Sequence, residues 1–303
     1  MRLSFMVPGL VCLCAVVIGI AAPVVQDDDV RGAFLTSRPK VKPTSTGTTA
    51  KPSRRRTKTS PGPNKPGKPP EKAPGKPDTS GPLSKPSEPA TPVNAPRLGI
   101  GLTLFMRDSN GMAVRVDPGR VFSKGDRVRV LLETNSDGYL YIFNTTDDGP
   151  PTMIYPDADL DEAGNYLQAH VPFEIPTSLA TEERLRWFAF DENAGTERLF
   201  LVFTREPLSG IPIDDELIAL CRDSKESCPV KPNAEVWAAV QKELQQPLKT
   251  DKKQQNGQAE TTSEQQATTR GLGLAKDDPQ PSLVMMASSA RPTLVATLDL
   301  IHK

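Results

Sequence analysis

From Arg97 onward the apolar residues come in short runs, most of them ended by Gly, Pro, Asp or Asn within a strand's length. In "DRVRVLLET", Val128, Val130 and Leu132 alternate with Arg127, Arg129 and Leu131, and a period of two is the mark of a strand. Gly125-Asp126 opens this run and Asn135-Ser136-Asp137-Gly138 closes it, so "GYLYIFN" is expected as its hairpin partner. In that partner Tyr139, Tyr141 and Phe143 share one face, with Leu140 and Ile142 on the other. Apolar side chains on both faces predict a central strand covered on both sides. The same punctuation recurs through "TMIYP", "AHVPFEIP", "RLRWFAF" and "RLFLVFT". Regular short strands with such breaks predict a mostly β fold, a single β-sandwich-like domain.

Helix signals come only after Pro207, and one or two short helices are expected. "IDDELIALC" has acids in its first turn, and "NAEVWAAVQKELQQP" has Asn233 as cap, Val236, Val240 and Leu244 on one face and Pro247 as stop. Residues 249–270 are polar and low in complexity, which predicts a disordered insertion. "SLVMMASS" and "TLVATLDLIHK" then read as a terminal hairpin that returns to the same domain, 97–303. Closure entropy grows only logarithmically with loop length, so the insertion does not forbid the return.

The preceding stretch is of another kind. Between Thr36 and Pro96 stand 15 prolines, 13 Lys and Arg, and 3 Asp and Glu, with almost no large apolar side chain. The zero net charge of the 303-residue chain therefore joins a basic stretch to an acidic remainder. Too little surface can be buried here to offset the entropy of ordering, so residues 26–96 are expected as a disordered basic linker. As a spacer, about 60 such residues reach roughly 45 Å as a coil and roughly 190 Å fully extended. Residues 36–96 have no aromatic residue on which bases could stack, which counts against nucleic acid as partner.

Residues 1–25 begin with Arg2, continue as an apolar run and end in small residues at Ala21 and Ala22. This is the layout of a secretory signal. The run is also long enough for an uncleaved anchor, in which case it is the chain's one membrane contact. Both readings place the rest of the chain outside the cytoplasm: periplasm, cell envelope or extracellular space. Cys12 and Cys14 lack the preceding small residues that bacterial lipid attachment requires. In an exported chain Cys221 and Cys228, an even pair in "CRDSKESC", are expected to form a disulfide.

Little else in the sequence has the spacing of a reaction centre. His170 and His302 are the only histidines, and neither lies in a recognisable nucleophile motif, so no catalytic residue and no cofactor is expected. Asp157, Asp159 and Asp161 alternate like the start of a calcium loop. Glu162 stands where the turn glycine belongs and Gln168 where the bidentate Glu belongs, leaving the three aspartates a weak metal candidate. Trp187, Tyr139 and Tyr141 read as core aromatics rather than a ligand groove.

"FSKGDRVRVLLETNSDGYLYIFN", then "YP", "GNYL", "VPFEIP", "FAFDENAGTERLFLVFT" and "P" resemble the bacterial domain-of-unknown-function family 4384, from roughly Leu98 to Pro207. The resemblance implies a non-catalytic module of an exported or multidomain protein, and carries over no site residue. The expectation is thus an exported binding or scaffolding module with an envelope protein or polymer as partner. One alternative has the basic linker attach an acidic domain to an anionic surface. The other makes the chain a hydrolase of envelope polymers.

Overall fold

The computed structural model describes residues 29–40, 96–158, 164–223 and 228–303. The calls on residues 1–25 and on 41–95 lie outside the described residues. Two sheets pack face to face. The first contains β1 (Gly99–Arg107), β2 (Ala113–Arg115), β4 (Arg127–Thr134), β8 (Phe173–Ile175), β9 (Phe188–Ala189), β11 (Leu248–Lys252) and β12 (Leu283–Ala287), along the path β11-β12-β1-β4-β8. The second contains β3 (Val121–Phe122), β5 (Gly138–Thr146), β6 (Thr152–Tyr155), β7 (Tyr166–Leu167), β10 (Gly195–Thr204) and β13 (Thr293–His302), along β3-β13-β10-β5-β6. Pairing is antiparallel except between β3 and β13.

Alternation places the core as expected. Ile100, Leu102 and Leu104 of β1 and Val128, Val130 and Leu132 of β4 meet Leu140 and Ile142 of β5, Leu199, Leu201 and Phe203 of β10 and Leu298 of β13 between the sheets. The other face of β5 carries Tyr141 and Phe143, which pack with Phe200, Val202 and Val295 under α2 (Asp214–Asp223) and α3 (Ala234–Leu244). Asn233 caps α3 by accepting from the Val236 N–H, and Val236 and Val240 are its buried residues.

The pairing partners are not those expected. β4 and β5 are no hairpin: β4 joins β1, β8 and β9 in the first sheet, while β5 joins β10, β6 and β7 in the second. Asn135 holds the crossing, accepting from the Gly99 N–H and donating to the Arg97 carbonyl. The C-terminal runs return to the domain, but again not as a hairpin. β12 pairs with β1 and β11, and β13 with β10 and β3. In both cases two apolar faces stack across the interior instead of lying side by side, which buries more surface than a free hairpin could.

Two segments expected to be disordered are ordered. Residues 29–40 contain α1 (Val30–Leu35), whose Phe34 is buried with Val284 and Met286 of β12. In 249–270, β11 adds an edge strand beside β12, and α4 (Thr262–Arg270) follows it. Thr261 and Glu264 close a reciprocal capping box on α4, and Gly271 ends it in the left-handed conformation at φ 62°. Composition counts apolar side chains, and α4 is instead held by capping, by buried Ala267 and by an ion pair from Glu264 to Arg115.

Cys221 and Cys228 are bonded, with Cα atoms 5.4 Å apart, and this closes the end of α2 onto the next segment. Alkylation without prior reduction is expected to modify neither cysteine, as read by mass spectrometry. Modification of Cys221 and Cys228 in natively purified protein would contradict the bond.

Candidate functional site

The outward face of β4 carries Arg129, Leu131 and Glu133, all buried. Alternation alone would leave the two charges in water. They are covered instead by residues 29–40 and by the segment from Lys253 to Ser282, which crosses the outside of the first sheet. Burying charge costs several kcal/mol per ion unless it is paired, so each charge should have a partner.

Arg38 and Glu133 form the most complete pair. The guanidinium forks onto the carboxylate through Nε to Oε1 at 2.8 Å and Nη2 to Oε2 at 2.6 Å. Its remaining donors go to the carbonyls of Ala275, Asp278 and Pro279 at 3.0–3.1 Å, so all five N–H groups are used. Glu133 Oε1 also bonds His170 Nδ1 at 2.6 Å, and His170 Nε2 lies 2.6 Å from Ser37 Oγ. Burial pushes the Glu133 carboxyl up, but the hydrogen bonds and charges of His170 and Arg38 outweigh it and hold the pKa below the ordinary carboxylate value.

Serine, histidine and glutamate in this order form the hydrogen-bond chain of a nucleophile, base and orienting acid. Ser37 itself is exposed and belongs to the segment 29–40. Glu133 is already committed to the Arg38 fork, and the cavity beside it measures about 10 Å³, room for one water. That cavity is lined by Gly101, Thr103, Leu131, Leu274, Pro279 and Pro281 among others. His170 is buried at φ 58°. Its partners lie 37 and 133 residues away, and no local motif announces them.

A second cluster is less balanced. Arg129 stacks over Trp187 at 4.5 Å, donates from Nη2 to Glu260 Oε2 at 3.1 Å and holds Nε 3.3 Å from Glu174 Oε1 without hydrogen-bond alignment. Two buried carboxylates thus share one guanidinium, and Glu260 Oε1 and both Glu174 oxygens are without a hydrogen bond. Burial, then the nearby charge of Glu174, raise the Glu260 pKa to about 7 against the opposing Arg129 and Gln265. A protonated Glu260 can donate to Glu174.

Below about pH 4.5 Glu260 is protonated whether folded or unfolded and contributes nothing. From there to about pH 7 only the unfolded chain releases the proton, so rising pH costs stability, and the full cost stands above pH 7. Glu260→Gln is expected to flatten the loss of melting temperature between pH 5 and pH 8. An unchanged pH slope would count against the shared proton.

Arg129, Glu133, His170 and Glu174 belong to the middle of the chain, whereas Ser37, Arg38, Glu260 and Glu264 come from segments on either side of it. That middle part, residues 121–207, matches the family model "Domain of unknown function (DUF4384)". Residues 121–207 are a DUF4384 domain. No curated protein and no solved structure matches the chain. The DUF4384 stretch runs from β3 to just past β10, so its strands lack their neighbours β1 and β13, which the flanking sequence supplies. Its outer face is covered by polypeptide from outside the stretch.

The remaining sequence candidates separate. Asp157 is described, but Asp159 and Asp161 lie outside the described residues. Among the described residues no three His, Cys, Asp or Glu are grouped to hold a metal. Tyr141 is core, Trp187 is buried under Arg129, and Tyr139 packs edge-on to Tyr166. His302 is buried against Phe190, away from His170's chain. Among the described residues no helix is long and apolar enough to cross a membrane.

Proposed function

We propose that the chain is an exported, envelope-associated binding or scaffolding module whose working surface is the outer face of the first sheet. One observation carries this reading: the outer face of the first sheet already holds a peptide, residues 29–40, by Phe34 against β12 and by Arg38 on Glu133 of the DUF4384 stretch. The signal-like start of residues 1–25 supports export, and the Cys221–Cys228 bond suits an oxidising compartment. We read the chemistry as recognition rather than turnover, because Glu133 of the Ser37–His170–Glu133 chain is taken up by the Arg38 fork and Ser37 itself belongs to the held segment.

The rival is electrostatic attachment through the basic residues of 41–95. Affinity capture from envelope fractions separates the two. Replacing 41–95 by an uncharged Gly/Ser linker of equal length is expected to leave capture intact, and Phe34→Ala with Arg38→Ala, which vacates the face, to strengthen it. Capture that disappears with the uncharged linker would establish the electrostatic reading instead.

A further inference from the structure

Residues 29–40 and the body they dock on are separated by 41–95, yet both ends of that stretch are held at one corner. The Ser37 hydroxyl bonds the Asn135 carbonyl, and the Asn135 side chain binds the Arg97 carbonyl and the Gly99 N–H. Fifty-five residues would otherwise span about 40 Å as a coil. The chain thus leaves and re-enters the domain at a single point.

The contact has the anatomy of peptide recognition. Phe34 is fully buried and stands edge-on to His170, with ring centroids 5.6 Å apart. The sheet is shaped for it: a Cβ on Gly99 would come 2.9 Å from the Phe34 ring, so only glycine admits the aromatic there. Arg38, four residues on, fills its donor set against Glu133 and three carbonyls. Arg31 adds a half-buried fork onto Asp251, at 3.1 and 3.3 Å, and reaches the Pro281 carbonyl. An aromatic in a pocket beside a desolvated arginine fork is the arrangement that dominates binding at interfaces.

We propose that residues 29–40 are a ligand carried in cis: the groove of Gly99, Glu133, His170, Val284 and Met286 is a peptide-recognition site for an aromatic and an arginine four residues apart, occupied reversibly by the chain's own segment. The inference rests on the binding-module reading but needs no outside partner to test. While docked, the segment ties residue 29 directly to the domain, so the following 55 residues do not set its reach. Released, they become the spacer that their composition describes. A linker of this length holds the segment at an effective concentration of the order of millimolar, so a competing peptide at micromolar concentration is excluded from the intact chain.

The test uses the full chain with a site-specific protease sequence inserted within 41–95, and a fluorescent synthetic peptide spanning 29–40. After cleavage under native conditions, the N-terminal piece is expected to co-elute with the body on gel filtration. At about 100 μM the peptide should then replace it after overnight equilibration, while the uncut chain takes up none. A peptide carrying Arg38→Ala should compete at least about 30-fold less well, the usual scale for removing one partner of a buried charge pair. Because the change is in the peptide, the body's folding is untouched. The proposal fails if the cut piece leaves at once, or if the Arg38→Ala peptide competes equally. It also fails if excess peptide never displaces the piece, which would make 29–40 a permanent part of the fold. Loss of envelope capture with normal peptide exchange would instead overturn only the wider binding-module reading.

Discussion

Arg129→Met should destabilise the protein by about 3–5 kcal/mol near pH 8, because it strands two buried carboxylates that share this guanidinium. Methionine keeps much of the apolar stem but loses the guanidinium, which both lies over Trp187 and neutralises the carboxylates. The effect should depend on pH. Near pH 5 Glu260 already holds its proton in the native protein, leaving one carboxylate to compensate rather than two. Urea denaturation at both pH values measures this, and the deficit is expected to shrink on the acid side. An equal deficit at both would show that Arg129 acts through packing on Trp187 and not through Glu174 and Glu260.

Tyr141→Ala should cost a similar amount, about 3–5 kcal/mol, for a different reason. Tyr141 is wholly buried on central strand β5, in the cluster between the second sheet and the helices α2 and α3. Its hydroxyl accepts from the Leu208 N–H at 3.0 Å and so fixes the chain where it leaves the sandwich for α2. Truncation opens a cavity and leaves that N–H without its partner. Tyr141→Phe keeps the ring and loses only the hydrogen bond, so a deficit nearer 1 kcal/mol is expected. Paired thermal melts decide it: the alanine variant should fall by on the order of 10 °C and the phenylalanine variant by a few degrees. Equal melting of wild type and the alanine variant would contradict the core assignment of Tyr141.

Much of the secondary structure was legible locally. Period-two alternation in "DRVRVLLET" and "GYLYIFN" assigned each side chain to the correct face, and Asn233 marked the start of α3. The candidate site was not legible, because its residues look like surface residues one at a time. Arg129 and Glu133 alternate with apolar neighbours as solvated charges would. Their partners stand 131 residues away at Glu260 and 95 away at Arg38. In the fold, Gly99 and Gly101 admit Phe34 and Pro281 onto the sheet.

What the sequence by itself determined is what depends on near neighbours: a mostly β fold, the inward face of its strands, the capping of α3 and a cysteine pair close enough to bond. Strand pairing was decided only in three dimensions. A strand's two faces are written in its own residues, but its neighbours are chosen by which apolar surfaces can be buried together. For that reason β4 and β5, and again β12 and β13, separate into opposite sheets. Residues 29–40 and 253–282 were likewise decided by tertiary structure. They have too few apolar residues to order themselves, and they are ordered because buried Glu133, Arg115 and Arg129 require partners.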